Sequence, residues 1–158
     1  MQQPKTLVAY FSCSGVTARA AEAIARAAGA DLFEIRPAVP YTQADLNWTD
    51  KQSRSTIEMN DPSCRPAIAE KADMERYDTV FVGFPIWWYV APRIVETFLE
   101  SYDFSGKRVI PFFTSGGSCA GKTDEILRAR CAPSVRWETS RRITDLGAVR
   151  SWVASLGL

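Results

Sequence analysis

The sequence predicts an open, doubly wound α/β domain built on a five-stranded parallel sheet with helices on both faces. Apolar runs alternate with segments of helical period along the chain, which is typical of repeated strand–helix–strand units. Several of these runs are apolar throughout, as in strands that are covered on both faces. The chain has 158 residues, 46% of them hydrophobic, so one core needs neither disulfides nor a structural metal. We therefore expect a single domain over residues 1–158.

Residues 6–84 are predicted to hold three strands and, before the long connection between the second and third of them, one helix. Residues 6–11 form a buried strand, and residues 16–28 form an alanine-rich helix that Gly29 ends. Residues 31–35 alternate between polar and apolar side chains and predict the second strand. Residues 79–84 are continuously apolar and predict the third.

Two more strands and three helices are predicted in the second half. Pro92 suits the first turn of a helix whose apolar side chains are Ile94, Val95, Phe98 and Leu99. Residues 108–113 form the fourth strand, in which Pro111 removes one hydrogen-bond donor. The remaining elements are a helix, a short fifth strand and a last helix, at residues 123–131, 135–138 and 146–156. Helices between successive strands supply the right-handed crossovers that a parallel sheet needs.

The connection between the second and third strands is unusually long. It covers residues 36–78, where about two to six residues plus a helix would suffice. It has too few large apolar side chains for a core of its own, so we interpret it as an excursion over the sheet edge, with a short helix near residues 55–60. Tyr41 and Trp48 lie in this excursion, and they either cover a ligand or anchor the segment.

The chain contains no histidine. Serine–histidine and cysteine–histidine nucleophilic catalysis, histidine proton shuttles and histidine-ligated zinc are therefore excluded. No catalytic side chain can be assigned from the sequence, and no metal site is expected. The four cysteines are widely spaced, as expected of reduced thiols: Cys13, Cys64, Cys119 and Cys131. If the protein catalyses a reaction, a group other than an imidazole must carry the chemistry.

The charge and hydropathy of the chain limit the classes of partner that it can bind. The formal net charge is +1, which provides no field for binding a nucleic-acid backbone. The segment before the first strand is too short for a secretory signal, and no apolar run approaches the roughly 18 residues of a membrane span. We expect a cytoplasmic protein that binds neither nucleic acid nor membrane.

The loop after the first strand is a candidate anion site. Residues 12–17 place three hydroxyl groups and a glycine, those of Ser12, Ser14, Thr17 and Gly15, between a buried strand and the start of a helix. A helix N-terminus presents unpaired N–H groups and a partial positive charge, and nearby hydroxyls add donors. The alternative is that one serine simply caps the helix. Capping needs only one such residue, so the three together favour phosphate binding.

Two further loops follow the third and fourth strands. Residues 85–92 hold two tryptophans and a tyrosine in a row, and these cannot all face one core. An aromatic plane at this place suits stacking on a flat heterocycle. Alternatively, one Trp packs under the end of the sheet and the other is an ordinary exposed residue, which would explain the sequence equally well. Residues 114–118 offer backbone and hydroxyl groups with little side-chain bulk, which suits either the edge of a ligand ring or a plain turn.

Taken together, these loops resemble those of flavodoxin-like flavoproteins. The motifs Phe11-Ser12-Cys13-Ser14-Gly15-Val16-Thr17, Gly83-Phe84-Pro85-Ile86-Trp87-Trp88 and Pro111-Phe112-Phe113-Thr114-Ser115-Gly116-Gly117-Ser118 occur in the family's order and spacing. The resemblance covers nearly the whole chain, and it implies the strand order 2-1-3-4-5 in a three-layer sandwich.

The resemblance also implies an FMN cofactor, which would carry the redox chemistry itself. Its phosphate would lie on the first loop, and its ring system would lie between the other two. The cofactor-binding residues so implied are Ser12, Cys13, Ser14, Gly15, Val16, Thr17, Pro85, Ile86, Trp87, Trp88, Tyr89, Thr114, Ser115, Gly116, Gly117 and Ser118.

Two departures from the family pattern leave the type of redox function open. Flavodoxins that carry electrons are typically strongly acidic, whereas here residues 1–104 carry 10 basic and 14 acidic side chains and residues 105–158 carry 9 and 4. Flavodoxins also commonly place a glycine near the flavin N5, where Trp88 and Tyr89 stand here. The chain is therefore either an electron carrier for a redox partner protein or an NAD(P)H-dependent reductase of a small acceptor such as a quinone.

A competing motif lies at residues 116–123, which satisfy the nucleotide-binding pattern G-x-x-x-x-G-K-[ST]. A P-loop NTPase would also need a later apolar strand ending in an aspartate that holds Mg²⁺. Only 35 residues follow Thr123, and they contain no such strand. The NTPase interpretation is therefore a remote alternative.

Overall fold

The computed structural model describes residues 5–13, 15–115 and 121–158. Its strands are β1 Thr6–Tyr10, β2 Asp31–Glu34, β3 Thr79–Pro85, β4 Arg108–Thr114, β5 Arg136–Trp137 and β6 Arg141–Arg142. Its helices are α1 Val16–Ala28, α2 Arg54–Met59, α3 Arg93–Glu100, α4 Thr123–Arg128 and α5 Val149–Ser155, with 3₁₀ turns at Met74–Arg76 and Leu146–Ala148. All strand pairs between these elements are parallel, and their order is β2-β1-β3-β4-β5. The predicted fold class and strand order are confirmed.

The edge strand beyond β4 is interrupted. Its first piece, β5, pairs with Arg108 and Val109, and its second piece, β6, pairs with Phe112 and Phe113. The carbonyls of Val109 and Phe113 accept hydrogen bonds from this edge. Pro111 lies midway between Val109 and Phe113, so its backbone nitrogen faces the same edge strand. It has no N–H to donate, and the ladder of backbone hydrogen bonds between β4 and the edge strand breaks there. The sequence analysis missed β6 because two exposed arginines lack the pattern of a strand.

Two apolar layers cover the sheet, because successive strand residues face opposite sides. Val8, Ile24 and Phe81 belong to the layer under α1 and α5, whereas Leu7, Val80 and Phe98 belong to the layer under α3 and the excursion. Gly83 in β3 packs directly against the ring of Phe112 in β4, where any Cβ would collide with that ring. This contact lets β3 and β4 pack closely up to the loops that follow them.

The excursion lies on the α3 side of the sheet. Its helix α2 begins after Ser53, whose hydroxyl accepts a hydrogen bond from the Thr56 amide. The guanidinium of Arg93 in α3 donates to the backbone carbonyls of Glu58 and Met59 at the end of α2. Ile68, Met74 and Tyr77 contribute to the apolar layer on that side. The excursion is therefore tied to the sheet rather than hanging free of it.

No helix among the described residues is both long enough and apolar enough to cross a bilayer.

Candidate functional site

Three loops meet at the carboxyl edge of the sheet. The register pairs Tyr10 with Gly83 and Pro85 with Thr114, so β1, β3 and β4 end side by side. Backbone hydrogen bonds continue this alignment past the strand ends: the Phe11 amide donates to the Gly83 carbonyl at 2.9 Å, and the Ile86 amide donates to the Thr114 carbonyl at 3.1 Å. A ligand outside the carboxyl ends of the strands would contact all three loops.

The first loop leaves the N-terminus of α1 available to an anion. Gly15 occupies the N-cap position with φ 89°, a left-handed conformation that glycine adopts without strain. The hydroxyl of Ser12 accepts a hydrogen bond from the Gly15 amide at 3.1 Å. Within the described residues no side chain caps the helix, and its first turn carries no acidic group. The amides of that first turn are thus a fitting donor set for a phosphate group.

Thr17 and Thr114 link the first loop to the third. Their hydroxyl groups lie 2.7 Å apart, and both side chains are buried. Each hydroxyl has one proton to donate and only one proton is used between them, so the pair keeps a donor for a further acceptor. Ser12, Cys13, Gly15, Val16, Thr17, Thr114 and Ser115 are therefore brought together as predicted neighbours, whereas Ser14, Gly116, Gly117 and Ser118 lie outside the described residues.

The second loop folds into a tight turn with two exposed aromatic side chains at its tip. Trp87 and Val90 exchange backbone hydrogen bonds of 2.8 and 3.1 Å. Between them Trp88 has φ 49° and Tyr89 has φ 67°, the pattern of a type I′ turn, which normally takes glycine or asparagine. Such conformations cost about 1–3 kcal/mol each for other residues. Strain of this size persists only where the surroundings hold the turn in place.

Gly121 and Thr123 hold this turn from the side of α4. The Thr123 hydroxyl donates to the Tyr89 carbonyl at 3.3 Å. A Cβ at Gly121, which has φ +54°, would lie 2.5 Å from the same carbonyl oxygen. Only glycine permits both this backbone conformation and this approach. Thr123 is itself fully buried beside the aromatic turn.

The excursion packs against the aromatic loop through Tyr41, for which the sequence left open either covering a ligand or anchoring the segment. Phe11, Tyr41 and Trp87 contact one another edge to face, with ring centroids 5.7–5.8 Å apart. The Tyr41 hydroxyl donates to Glu58 at 2.5 Å, and Arg54 both stacks over the Tyr41 ring at 3.8 Å and pairs with Glu58 at 2.8 Å. Tyr41 therefore anchors the excursion against the aromatic loop. The sequence analysis missed Arg54 and Glu58, because nothing in the sequence says which residues of a long connection fold back.

A cavity of about 370 Å³ lies between the excursion and the aromatic loop. Its walls are Leu46, Trp48 and Ser55 from the excursion and Ile86, Trp87, Trp88 and Tyr89 from the loop. We call it the ring cavity. Trp48 is 71% exposed at this wall, so it borders the opening rather than anchoring the segment. A cavity with flat aromatic walls suits an aromatic ring system.

The thiol of Cys13 and the phenol of Tyr41, which lie near the first loop, are uncharged at neutral pH. The surrounding protein desolvates the Cys13 thiol and raises its pKa to about 11, with the charge of Arg54 opposing this shift and that of Glu58 adding to it. The thiol is therefore neutral at pH 7 and does not repel a phosphate. Burial and donation to Glu58 likewise raise the pKa of Tyr41, which stays a neutral phenol. Nowhere in the described residues do three His, Cys, Asp or Glu side chains form a metal-binding group.

A model of the flavodoxin family matches residues 5–156. The chain belongs to the flavodoxin family. Among solved structures, a protein from Bacteroides eggerthii assigned as a flavoprotein is 49% identical, with 99% of each chain covered and a TM-score of 0.90. This flavodoxin also resembles a flavoprotein from Lactobacillus acidophilus solved in complex with FMN, at 26% identity over 95% of this chain and 99% of that one, with a TM-score of 0.71.

More distant structures share the fold. A flavodoxin from the domain Archaea is 17% identical over 96% of this chain and 95% of that chain, with a TM-score of 0.52. Among curated protein sequences, none matches this flavodoxin significantly.

Proposed function

We propose that this flavodoxin binds FMN at the carboxyl edge of its sheet and functions by flavin redox. The observation that carries the proposal is that Phe11, which leads into the uncapped N-terminus of α1, contacts Trp87 in the wall of the ring cavity with ring centroids 5.8 Å apart. Membership of the flavodoxin family and the resemblance to a flavoprotein solved with FMN support it. When bound, FMN supplies the electron-accepting and electron-donating group that the protein's own side chains lack.

The protein's residues would bind and orient the cofactor. The amides of the first turn of α1 and the hydroxyls of Ser12 and Thr17 would donate to the phosphate, and the neutral Cys13 thiol would avoid repulsion. Trp87 and the strained turn at Trp88 and Tyr89 would give the flavin ring a flat apolar wall. Thr114 and Ser115, at the end of β4, would offer backbone groups to the polar atoms of the ring.

The test is titration of the full chain with FMN, followed by quenching of FMN fluorescence. We expect saturable one-to-one quenching. Thr17→Val removes the hydroxyl partner of buried Thr114, and it should raise the Kd about tenfold, which is about 1.4 kcal/mol. Thr139→Val, at an exposed position, is the matched control and should leave the Kd unchanged. Absence of quenching by the wild-type protein would refute the proposal.

Between a carrier and a reductase, the charges beside the site favour an NAD(P)H-dependent reductase. Arg142 in β6 donates to the Ser115 carbonyl at 3.2 Å, and Arg141 beside it is also exposed. Basic groups at this edge do not steer the protein to the basic partners that acidic electron carriers meet. We infer a small acceptor or an acidic redox partner. Separately, we propose a cytoplasmic location for the protein.

Stopped-flow mixing of the FMN-loaded protein with NADH and NADPH separates the two functions. Rapid bleaching of the flavin by either nucleotide is expected of a reductase. A carrier would instead leave the flavin oxidised with both nucleotides and would accumulate its one-electron-reduced form during stepwise dithionite titration.

A further inference from the structure

A second cavity adjoins the ring cavity. It has a volume of about 300 Å³ and is lined by Trp48, Lys51, Thr56, Met59, Asn60, Trp88 and Val90. The two cavities have Trp48 and Trp88 in common and no other lining residue among those the structure describes. A molecule in the second cavity would therefore lie next to the flavin ring, with the two indoles between or beside them. We call it the indole cavity.

Large aromatic side chains are exposed around this pair of cavities. Trp48, Trp88 and Tyr89 are 71%, 43% and 59% exposed. Exposed aromatic groups gathered on one cleft mark a binding surface, whereas single exposed apolar residues are ordinary. The strained turn also presents Trp88 at this place at a conformational cost. If these aromatic rings served only to pack the fold, they would be buried.

The polar groups of the indole cavity indicate the chemistry of the ligand. Lys51 contributes an ammonium group, Asn60 an amide and Thr56 a hydroxyl, and none of the described lining residues is acidic. Within the described part of the chain, the Lys51 ammonium has no carboxylate within 4.0 Å. Two indoles, Met59 and Val90 form the apolar surface. This combination suits a flat aromatic molecule that carries oxygen acceptors or an anionic substituent.

We propose that the indole cavity binds the small aromatic oxidant of this flavodoxin, a molecule of the quinone class. This inference rests on the proposed function, because it gives the flavin its acceptor. The quinone ring would lie against Trp48 and Trp88, and its oxygen atoms would accept hydrogen bonds from Lys51 and Asn60. The excursion, which supplies most of the lining residues, is then the part of the chain that selects the substrate.

The test uses anthraquinone-2-sulfonate, a flat anionic quinone without a free position for thiol addition, titrated calorimetrically into the FMN-loaded full chain. We expect one-to-one binding without release of flavin. Lys51→Gln and Asn60→Ala change exposed residues that line only the indole cavity. Each should weaken probe binding about fivefold and leave the Kd for FMN within twofold. Ile57→Ala, at an exposed position of the adjoining helix α2 that lines neither cavity, is the matched control.

Each outcome decides between the proposals. A probe that displaces FMN occupies the ring cavity and overturns the inference, as does a probe that does not bind or that binds both variants as tightly as it binds the wild-type protein. Tight binding of NADH with the same dependence on Lys51, and no binding of the quinone, would assign the cavity to the nucleotide instead and also overturn it. Flavin that is lost from the protein before any probe is added refutes the proposed function itself.

Discussion

Cys13 combines an exposed position with an unreactive thiol. Its side chain reaches solvent in the loop that follows β1, yet local desolvation raises its pKa to about 11. Since the thiolate is the nucleophile, exposure alone does not make this cysteine reactive. A helix N-terminus ordinarily lowers the pKa of a nearby thiol. At Cys13 desolvation is the largest influence, and it raises the pKa.

Alkylation measures this directly. We expect iodoacetamide to modify Cys13 slowly at pH 7.5 and faster as the pH approaches 11, because the raised pKa keeps the thiol protonated until then. Peptide mass spectrometry after timed quenching gives the rate at this residue. Bound FMN should slow the reaction further, and a midpoint near the usual 8.5–9 would contradict the assignment.

Gly121 controls the aromatic turn from outside it. Gly121→Ala places a Cβ against the Tyr89 carbonyl, so the turn must move, and we expect the Kd for FMN to rise at least tenfold, about 1.4 kcal/mol. Gly157→Ala is the matched control, because Gly157 also has a positive φ (+67°) but its Cβ would meet nothing within 4 Å. Both variants place an alanine at a positive φ and are strained for that reason, but only Gly121→Ala should lose affinity for the flavin. Fluorescence titration of the two variants decides the question.

At the residue scale, local patterns predicted the binding loops and missed the contacts between them. Ser12, Thr17 and Thr114 could be proposed because hydroxyls next to a strand end and a helix start have a direct physical meaning. Arg54 and Gly121 could not, because their roles depend on approaches between distant segments. The assignment of all these residues to FMN stays a prediction.

At the scale of elements, Glu96 in α3 joins the parts of the chain that carry the site. Its side chain is 1% exposed and pairs with Arg65 at 3.2 Å, Arg93 at 2.9 Å and Arg130 at 2.9 Å. Arg65 belongs to the excursion, Arg93 to α3 and Arg130 to the segment after α4. A buried carboxylate that satisfies three guanidinium groups fixes these segments relative to one another.

Removing this carboxylate should cost far more than removing its exposed neighbour. Glu96→Ala leaves the buried guanidinium of Arg93 without a counter-charge, and we expect the free energy of unfolding to fall by about 3–5 kcal/mol. Glu100→Ala, which removes a 39% exposed partner of Arg65, should cost less than about 1 kcal/mol. Urea titration measures both. Equal losses would mean that the network at Glu96 gives no special stabilisation.

The order of strands and helices was predictable because strongly apolar strands and periodic helices have a clear signature. The predicted helix at 55–60 is found at Arg54–Met59, and the predicted helix at 123–131 ends early, at Arg128. The edge was harder to predict. β6 consists of Arg141 and Arg142, and it forms because β4 offers free backbone groups beyond Pro111, which is a tertiary cause rather than a local one.

For the whole molecule, the pH dependence of stability follows from the missing histidine and from paired carboxylates. The hydrogen bond from Arg65 lowers the pKa of Glu100 below its ordinary value of 4.5, and hydrogen bonds from Ser63 and Ser105 lower those of Asp61 and Asp103 below 3.8. The unfolded chain then binds protons first as the pH falls, so stability is present above these ordinary values and is lost below them.

We therefore expect a free energy of unfolding that is nearly constant between about pH 5 and 8 and falls below about pH 4.5. Urea titrations at several pH values measure this curve. Glu100→Gln removes one of the responsible carboxylates, so its loss of stability on acidification should be smaller than that of the wild type. A stability change centred near pH 6.5 would contradict the account, since the chain has no histidine.

The excursion has an evolutionary consequence. Lengthening a surface connection of this size is thermodynamically cheap, since each doubling costs only about 0.6 kcal/mol of loop-closure entropy. The sheet edge holds the phosphate loop and the aromatic turn, whereas residues 36–78 add a separate wall to them. If the indole cavity binds the oxidant as proposed, exchange of this one segment would change the preferred substrate while the cofactor chemistry is inherited unchanged.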